Sequence, residues 1–418
     1  VEDGGLDNDL STASDNATFS VTFTVVVNDP PSMDPVADVT VSEDAAEQSV
    51  GLTGISAGPG ESQTLRISAT SSNTTLIANP SITYTSPNAS ATLKFTPTAD
   101  LSGAAVITVT LEDAGLDGNF ATTADNRSST RTFTITVTPV NDAPTLNTLS
   151  DQTIAEDAAE QTVNLSGISA GGGESQPLRV TASSSNTGLI PDPAVTYTSA
   201  DATGSIRYKS VADLSGSATI TVTVEDGGLD GDLATSSDNL VFSRSFVVTV
   251  TAVNDVPTLD ALSDLAINED AAEQTVNLAG ITAGGGETQP LKVTATSSAT
   301  GVIPNPAVTY TSASTTGSIR FTPVADQSGA VTITVTVEDG GLDGDLGTAA
   351  DNAVSTRSFV VTVAAVNDTP TLDSISDTTI AEDAAEQTVS LSGITAGGGE
   401  SQPLKVTASS SNTGLIPA

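Results

Sequence analysis

The chain has 418 residues, of which 51 are Asp or Glu and only 12 are Lys or Arg, giving a formal net charge of −39. So acidic a chain repels nucleic acid and anionic membranes, and neither partner is expected. It contains no Cys, His or Trp, which excludes disulfides, thiolate or imidazole metal sites and the Ser-His-Asp and Cys-His catalytic arrangements. No pair of acids stands apart from the rest of the pattern as a glycosidase pair would, and we expect no enzyme.

The sequence repeats every 113 residues. The Asn of a Val-Asn-Asp motif recurs at Asn28, Asn141, Asn254 and Asn367. The first residue of Glu-Asp-Ala-Ala-Glu-Gln recurs at Glu43, Glu156, Glu269 and Glu382. A period of this size is that of a folding domain, and such exact repetition predicts a tandem array. The predicted units are a C-terminal fragment of a repeat (1–29), three complete repeats (30–142, 143–255 and 256–368) and an N-terminal fragment (369–418). Because the chain stops partway through a repeat, we expect it to be a segment of a longer polypeptide.

Each repeat has the pattern of β-strands. Apolar residues alternate with Thr, which is the period of a half-buried strand, and clusters of Gly, Pro, Asn and Asp separate the strands. No stretch has the period of a helix. In the repeat around residues 141–253 the seven predicted strands, named A to G, are 145–154, 161–168, 177–184, 194–198, 204–210, 217–224 and 243–252. Seven short antiparallel strands in a domain of this size are typical of an immunoglobulin-like sandwich.

Acids are concentrated in the loops at the two ends of each predicted sandwich. Alternating strand directions place Glu156 (A–B loop) and Asp213 (E–F loop) at one end. They place Glu174 (B–C loop), Asp226 and Asp230 (F–G loop) at the other end. Each junction between repeats therefore gathers carboxylates from the preceding repeat, the linker and the following repeat.

Crowded carboxylates are unfavourable unless something bridges them. Ca²⁺ does so with about six to eight oxygen ligands in irregular geometry, and the Gly-rich loops allow backbone carbonyls to turn toward an ion. We therefore expect Ca²⁺ at the junctions. The alternative is that the acids are solvated loop charges, as in salt-adapted proteins, although such a surface would also carry acids on its strands.

The same motifs resemble those of cadherin repeats. The linker 253–257, Val-Asn-Asp-Val-Pro, is similar to the Asn-Asp-x-x-Pro linker that closes a cadherin repeat. Residues 224–228, Val-Glu-Asp-Gly-Gly, resemble the Asp-x-Gly of the cadherin F strand. Glu156 falls where the cadherin A-strand glutamate lies, and Asp213 falls within the position of the Leu-Asp-Arg-Glu box.

The segments 185–191 and 215–228 resemble most the cadherin-like, immunoglobulin-like tandem repeats of giant bacterial surface adhesins. This resemblance covers essentially the whole chain. It implies an all-β fold of tandem seven-stranded immunoglobulin/cadherin-like β-sandwiches arranged end to end. It also implies an extracellular location at the cell surface and Ca²⁺ at the inter-domain junctions.

Two departures from the cadherin pattern alter the expected site. The glutamate of the Leu-Asp-Arg-Glu box is missing after Asp213, and Gly-Gly-Gly-Glu replaces the Asp-x-Asp of the B–C region. We therefore expect one or two ions at each junction rather than three. At the junction of Asn254 and Asp255, the resemblance implies Glu156 and Asp213 as further ligands. The topology adds Glu287, Asp339 and Asp343. Over the three junctions the predicted ligands are Glu43, Asp100, Asn141, Asp142, Glu174, Asp226, Asp230, Glu156, Asp213, Asn254, Asp255, Glu287, Asp339, Asp343, Glu269, Asp326, Asn367, Asp368 and Glu400.

The predicted function is structural: a calcium-stiffened stalk or fibre shaft of a long bacterial surface protein, with no membrane insertion in this segment. One alternative is a filament or sheath subunit that packs laterally against copies of itself. Its contacts would be the F–G loops and the few cations, ten of which occupy three repeat positions: Arg66/Arg179/Lys292/Lys405, Lys94/Arg207/Arg320 and Arg131/Arg244/Arg357. The simpler interpretation makes these cations ordinary residues of the sandwich faces. A second alternative is that the repeats bind glycans or a partner cell directly. That requires a recognition surface, usually aromatic, and the chain has only four Tyr. Three of them, Tyr84, Tyr197 and Tyr310, share one repeat position and are explained as well by packing within the sandwich.

Overall fold

The computed structural model describes residues 1–417, and in this range it contains 21 β-strands and no helix. The first set of strands is β1 (Val39–Ser42), β2 (Gln48–Leu52), β3 (Leu65–Ser71), β4 (Ser81–Thr83), β5 (Ala91–Phe95), β6 (Gly103–Asp113) and β7 (Ser128–Thr138). The second set is β8 (Gln152–Ala155), β9 (Gln161–Ser166), β10 (Leu178–Ser184), β11 (Ala194–Thr196), β12 (Thr203–Tyr208), β13 (Gly216–Asp226) and β14 (Val241–Thr251). The third set is β15 (Leu265–Asn268), β16 (Gln274–Ala279), β17 (Leu291–Ser297), β18 (Ala307–Thr309), β19 (Thr316–Phe321), β20 (Gly329–Asp339) and β21 (Val354–Ala364).

Each set of seven strands forms two sheets. In the second repeat the order is β10-β13-β14-β8 in one sheet and β11-β12-β9 in the other. The first and third repeats have the same orders, β3-β6-β7-β1 with β4-β5-β2 and β17-β20-β21-β15 with β18-β19-β16. The predicted fold class, a tandem array of seven-stranded β-sandwiches, is therefore confirmed.

The prediction that strand A is one continuous strand over 145–154 is wrong. Thr145 forms an isolated bridge with Ser169 next to β9, whereas β8 begins at Gln152 and pairs in parallel with β14. At the crossover the Asp151 carboxylate accepts a hydrogen bond from the Val247 amide at 2.7 Å. The chain thus passes from one sheet to the other, and a side chain replaces the missing backbone pairing.

The core lies between the two sheets and follows the alternation of the sequence. On β13 Ala218, Ile220 and Val222 are buried, and Ile220 is paired with Phe246 on β14. Residues on the outer face carry hydroxyls instead; Thr221 and Ser245 lie 2.9 Å apart. Burial of each such aliphatic side chain contributes about 1.5–3 kcal/mol, so every repeat has a core of its own.

The two end segments contain little regular structure. Within residues 1–29 the only pairing between strands is the bridge of Glu2 with Thr18, and within 369–417 it is that of Thr371 with Thr395. The strands that β12, β13 and β14 supply in a complete repeat have no counterpart in 369–417, so this segment has no partners with which to form sheets. The unit boundaries given above remain a prediction. No helix within residues 1–417 is long and apolar enough to cross a membrane.

Candidate calcium site at the repeat junctions

The linker between two repeats is held by one glutamate from each side. The Val253 amide donates to Glu156 Oε1 of the preceding repeat at 2.7 Å. Two residues later the Asp255 amide donates to Glu287 Oε2 of the following repeat at 3.1 Å. Glu156 is only 4% exposed, because the end of the preceding sandwich covers it. The same pairs of bonds form at Val140 and Asp142 and at Val366 and Asp368.

Five carboxylates meet around Asp255. In one group Glu156, Asp255 and Glu287 offer oxygens that all lie within 4.8 Å of one another. In the other group Asp157, Asp213 and Asp255 do the same. Asp255 belongs to both groups, so the linker joins two adjacent clusters of oxygen ligands.

The arrangement recurs at the other two junctions. Around Asp142 the groups are Glu43, Asp142 and Glu174, and Asp44, Asp100 and Asp142; around Asp368 there is one group, Asp270, Asp326 and Asp368. Each site therefore combines acids of the preceding repeat with the linker aspartate. In the first two junctions a glutamate of the following repeat is also included.

The linker aspartates are crowded by negative charge. Loss of water on burial, followed by the charges of Glu287, Asp213, Asp157 and Glu156, raises the pKa of Asp255 above its ordinary value. The pKa values of Asp142 and Asp368 are raised by burial and by the equivalent acids. Both loss of water and nearby like charges disfavour the carboxylate anion.

One carboxylate oxygen of each linker aspartate, Oδ2, also lacks a hydrogen-bond partner. The Oδ2 atoms of Asp142, Asp255 and Asp368 are buried and accept no hydrogen bond. Buried acceptors without a partner are uncommon and costly. A set of carboxylate oxygens without nitrogen or sulfur ligands suits a hard cation such as Ca²⁺, so the residues present fit the ion that the sequence predicts.

A turn of three glycines makes room for the aspartate. Gly284, Gly285 and Gly286 all have positive φ, of +99°, +39° and +74°. A Cβ on Gly285 would overlap Asp255 Oδ2, and one on Gly284 would crowd the Val256 carbonyl. The sequence Gly-Gly-Gly-Glu thus allows the loop of the following repeat to close against the linker carboxylate.

The linker asparagine has a different role from the aspartate. Asn254 Nδ2 donates to Asp339 Oδ1 at 3.1 Å and to the Asp351 carbonyl at 2.9 Å, and its Oδ1 accepts from Gln289 Nε2 at 2.6 Å. Asp339 is fully buried, and its Oδ1 also accepts the amides of the F–G loop. Asn254 and Asp339 therefore bind each other and lie in neither acid group.

The predicted ligands divide into four sets, the last of which is the pair of F–G-loop aspartates described below. Those that the structure brings into acid groups are Glu43, Asp100, Asp142, Glu174, Glu156, Asp213, Asp255, Glu287, Asp326 and Asp368. Glu269 and Glu400 bind the amides of Val366 and Asp368 beside the third group. The asparagines Asn141, Asn254 and Asn367, with Asp226 and Asp339, form the hydrogen-bonded positions next to the acid groups.

Asp230 and Asp343 lie outside all of these groups. In the F–G loop Asp343 accepts the Thr348 hydroxyl at 2.6 Å and the Asp345 amide at 2.8 Å, and Asp230 makes the equivalent bonds. Each carboxylate thus folds its own loop rather than facing the linker.

Two kinds of site residue were missed in the sequence. Asp44, Asp157 and Asp270 join the acid groups, and each directly follows a glutamate that was selected. The glutamines Gln63, Gln176, Gln289 and Gln402 bind the linker asparagine in every copy. Their recurrence at one repeat position was the available signal.

Nine of the twelve cations are engaged within their own repeats. Lys292 pairs with Glu338 at 3.1 Å, and Lys94 pairs with Glu47 at 2.8 Å. The equivalent arginine pairs are Arg66–Glu112, Arg179–Glu225, Arg207–Glu160 and Arg320–Glu273. Arg131, Arg244 and Arg357 donate to backbone carbonyls of the same repeat. Tyr84, Tyr197 and Tyr310 pack against the hydrophobic cores.

No protein-family model and no curated protein matches the chain. Among solved structures it is similar to domains EC22–24 of mouse cadherin-23, with 16% identity, a TM-score of 0.39 and coverage of 81% of this chain and 100% of that chain. Domains EC21–23 of human CDH23 give 16% identity, a TM-score of 0.40 and coverage of 79% and 100%. An endo-fucoidan hydrolase from glycoside hydrolase family 107 gives 15% identity, a TM-score of 0.23 and coverage of 81% of this chain but 45% of the hydrolase.

Proposed function

We propose that this chain is a structural repeat region, a calcium-stiffened stalk or fibre shaft of a long bacterial surface protein. The observation that carries the proposal is the convergence of carboxylates from two successive repeats on the linker Asp255, whose Oδ2 is buried without a partner. The same convergence recurs at Asp142.

The two acid groups at a junction would hold two ions that share Asp255. One group joins Glu156 of the preceding repeat to Glu287 of the following repeat, so an ion bound there would link the two sandwiches directly. The other group joins Asp157 and Asp213 to the linker. Two ions also agree with the departures from the cadherin pattern.

Calcium would stiffen a junction because its binding is thermodynamically linked to closure of that junction. An ion that binds only the closed junction stabilises it by RT ln(1 + [L]/Kd). Extracellular calcium modules have dissociation constants of about 0.1–1 mM, so millimolar external Ca²⁺ is sufficient. Without the ion the five carboxylates repel one another and favour an open junction. A row of closed junctions would hold the distal part of the protein away from the cell surface.

Lateral packing through the cations is less well supported, because nine of the twelve arginines and lysines pair with acids or carbonyls of their own repeats. Direct recognition by the tyrosines is also less well supported, since their rings pack against the cores.

Small-angle X-ray scattering of the whole chain tests the proposal. In about 2 mM Ca²⁺, a concentration above the expected dissociation constants, we expect a long maximum dimension with a sharp distance distribution. Excess chelator should shorten and broaden that distribution. The variant with Asp142→Asn, Asp255→Asn and Asp368→Asn should give the chelated profile at both calcium levels. A rigid profile that does not change on chelation would contradict calcium stiffening.

A further inference from the structure

The hydrogen bonds of the linker go to the preceding repeat up to Val253 and to the following repeat from Asn254 onward. Val253 is bonded to Glu156 of the preceding repeat, whereas Asn254 and Asp255 are bonded to the following repeat. We propose that Asn254 and Asp255 are fastened to the following repeat without any cation. The hinge of this junction then lies at the two backbone dihedrals that flank the rigid peptide unit between them, ψ of Val253 and φ of Asn254. This inference rests on the proposed function and specifies which part of the junction the ion controls.

The fastening consists of a network of hydrogen bonds in which the Oδ2 atom of the buried Asp339 takes no part. Gln289 Nε2 donates to Asn254 Oδ1 at 2.6 Å and to Glu287 Oε2 at 2.9 Å. The same Glu287 oxygen accepts the Asp255 amide, and the other side of Asn254 is held by Asp339. These bonds use neutral amides as donors and carboxylates as acceptors, so no metal ion is needed to complete them.

The same bonds form where no acid group is present. Asn28 donates to Asp113 Oδ1 at 3.0 Å and to the Asp125 carbonyl at 2.6 Å, and it accepts from Gln63 at 2.7 Å. Within residues 1–417 no group of three acids forms around Asp29. The fastening therefore belongs to the following repeat alone and does not depend on the loops of a preceding one.

The preceding side of the linker is held less firmly. One hydrogen bond joins the linker to the preceding repeat: the Val253 amide donates to Glu156. Glu156, Asp157 and Asp213 face Asp255 and Glu287 across the hinge, and these anions repel one another when no cation is bound. Removal of Ca²⁺ should therefore open the junction on this side only, and Gln289 and Asp339 act as positioning residues.

Spin labels can locate the hinge, since the chain has no Cys and engineered pairs are labelled specifically. The first pair, Ser217→Cys with Val256→Cys, spans the proposed hinge. The second pair, Val256→Cys with Thr294→Cys, lies on its far side. All three side chains are exposed. Double electron–electron resonance of the whole chain should show the first distance distribution broadening at least about twofold on chelation, while the second stays narrow.

A glutamine variant supplies the matched control. Gln289→Ala should broaden the second distribution in chelator, whereas Gln176→Ala, the same change one junction earlier, should leave it narrow. An NMR measurement on the unmutated chain is independent of the variants: after chelation the Asp255 amide should keep its protection from exchange, and the Val253 amide should lose it.

The outcomes separate the two proposals. If both distributions broaden on chelation, the linker is not fastened to the following repeat and this inference is overturned, while calcium stiffening stands. If neither distribution responds to chelation, calcium stiffening fails, and the ion-controlled hinge fails with it. If the distance distribution between labels at 256 and 294 stays narrow for Gln289→Ala in chelator, the glutamine is not a positioning residue.

Discussion

Gly285 shows how a residue without a side chain can position a charge. The linker carboxylate of Asp255 occupies the space that any other residue at 285 would fill. The neighbouring Gly286 has a similar left-handed backbone, but nothing lies within 4 Å of its ideal Cβ position. Substitutions at the two glycines therefore distinguish the cost of backbone strain, which both positions share, from the cost of filling the space of the Asp255 carboxylate, which only Gly285 has.

We expect Gly285→Ala to weaken Ca²⁺ binding at this junction by at least about tenfold, or about 1.4 kcal/mol, because the new methyl displaces Asp255. Gly286→Ala carries a comparable cost of positive φ, about 1–2 kcal/mol in stability, and should retain the affinity. Isothermal titration of the whole chain distinguishes them through the number of tight sites. Equal loss in the two variants would mean that strain, rather than space, controls the site.

Two hydrogen bonds within the F–G loop act on the carboxyl of Asp230. The hydroxyl of Thr235, followed by the Asp232 amide, lowers the pKa of this exposed carboxyl below its ordinary value. Since the folded loop binds fewer protons than the unfolded chain, its stabilisation is present above the ordinary Asp pKa and is lost as pH falls through the lowered folded value.

Thr235→Ala should therefore raise the pKa of Asp230 toward the ordinary value. The equivalent carboxyl in the next repeat, Asp343, has its pKa lowered by Thr348 in the same way and serves as the internal control. An NMR titration of the side-chain carboxyls follows both groups in one sample. A shift of both pKa values, or of neither, would show that the hydroxyl does not act locally.

Sequence reasoning located the main acids of the junction but not the groups that position them. Glu156, Asp213 and Asp255 follow from their place in loops and in a known linker motif. Gln289 was missed because a polar residue after a glycine-rich turn has no distinctive chemistry until the fold brings it to Asn254. Asp343 was selected from topology alone, because the F–G loop lies at the junction end of the sandwich, whereas its carboxylate binds a hydroxyl and an amide of its own loop.

At the scale of the elements, the period-2 alternation was sufficient to locate most strands. The predicted 217–224 and 243–252 correspond to the observed β13 (Gly216–Asp226) and β14 (Val241–Thr251), because each strand has one face in the core. Strand A has weaker alternation and changes sheets near Asp151. A side-chain bond at a crossover leaves no periodic pattern, so the sequence could not indicate the break.

The strand cores should respond to truncation one repeat at a time. Val335 on β20 is fully buried, whereas Val354 on β21 is 56% exposed. Val335→Ala should destabilise the third repeat by about 2 kcal/mol, and Val354→Ala by less than about 0.5 kcal/mol. Differential scanning calorimetry in chelator should show one of the three repeat transitions moving to lower temperature. A shift of every transition together would contradict the independence of the repeat cores.

At the scale of the whole molecule, the net charge of −39 can affect the shape of the chain through two effects: general repulsion between repeats, and binding of cations at the junctions. General repulsion between repeats is screened by any salt, with a Debye length of about 8 Å at physiological ionic strength. A cation held by the groups around Asp142 and Asp255 acts at far lower concentration and is selective for hard divalent ions. These two effects can be separated by experiment.

We expect about 2 mM Ca²⁺ to sharpen the scattering profile of the chelated chain, whereas NaCl at about 1 M, where the Debye length is about 3 Å, should not. Both titrations start from the same chelated sample and use the same whole chain, so the salt series is the control for screening. A sharpened profile in NaCl alone would assign the stiffness to screened repulsion instead of bound ions.

The repetition of the linker bonds has a geometric consequence. The bonds of Val140 and Asp142 to one glutamate on each side recur at Val253 and Asp255, 113 residues later. Successive repeats are therefore related by nearly the same rotation and translation when the junctions are closed. An operation applied again and again generates a superhelix, whose twist is the sum of small identical steps. The F–G loops would then trace a regular spiral along the shaft, and its pitch would be a property of the junction rather than of any single sandwich.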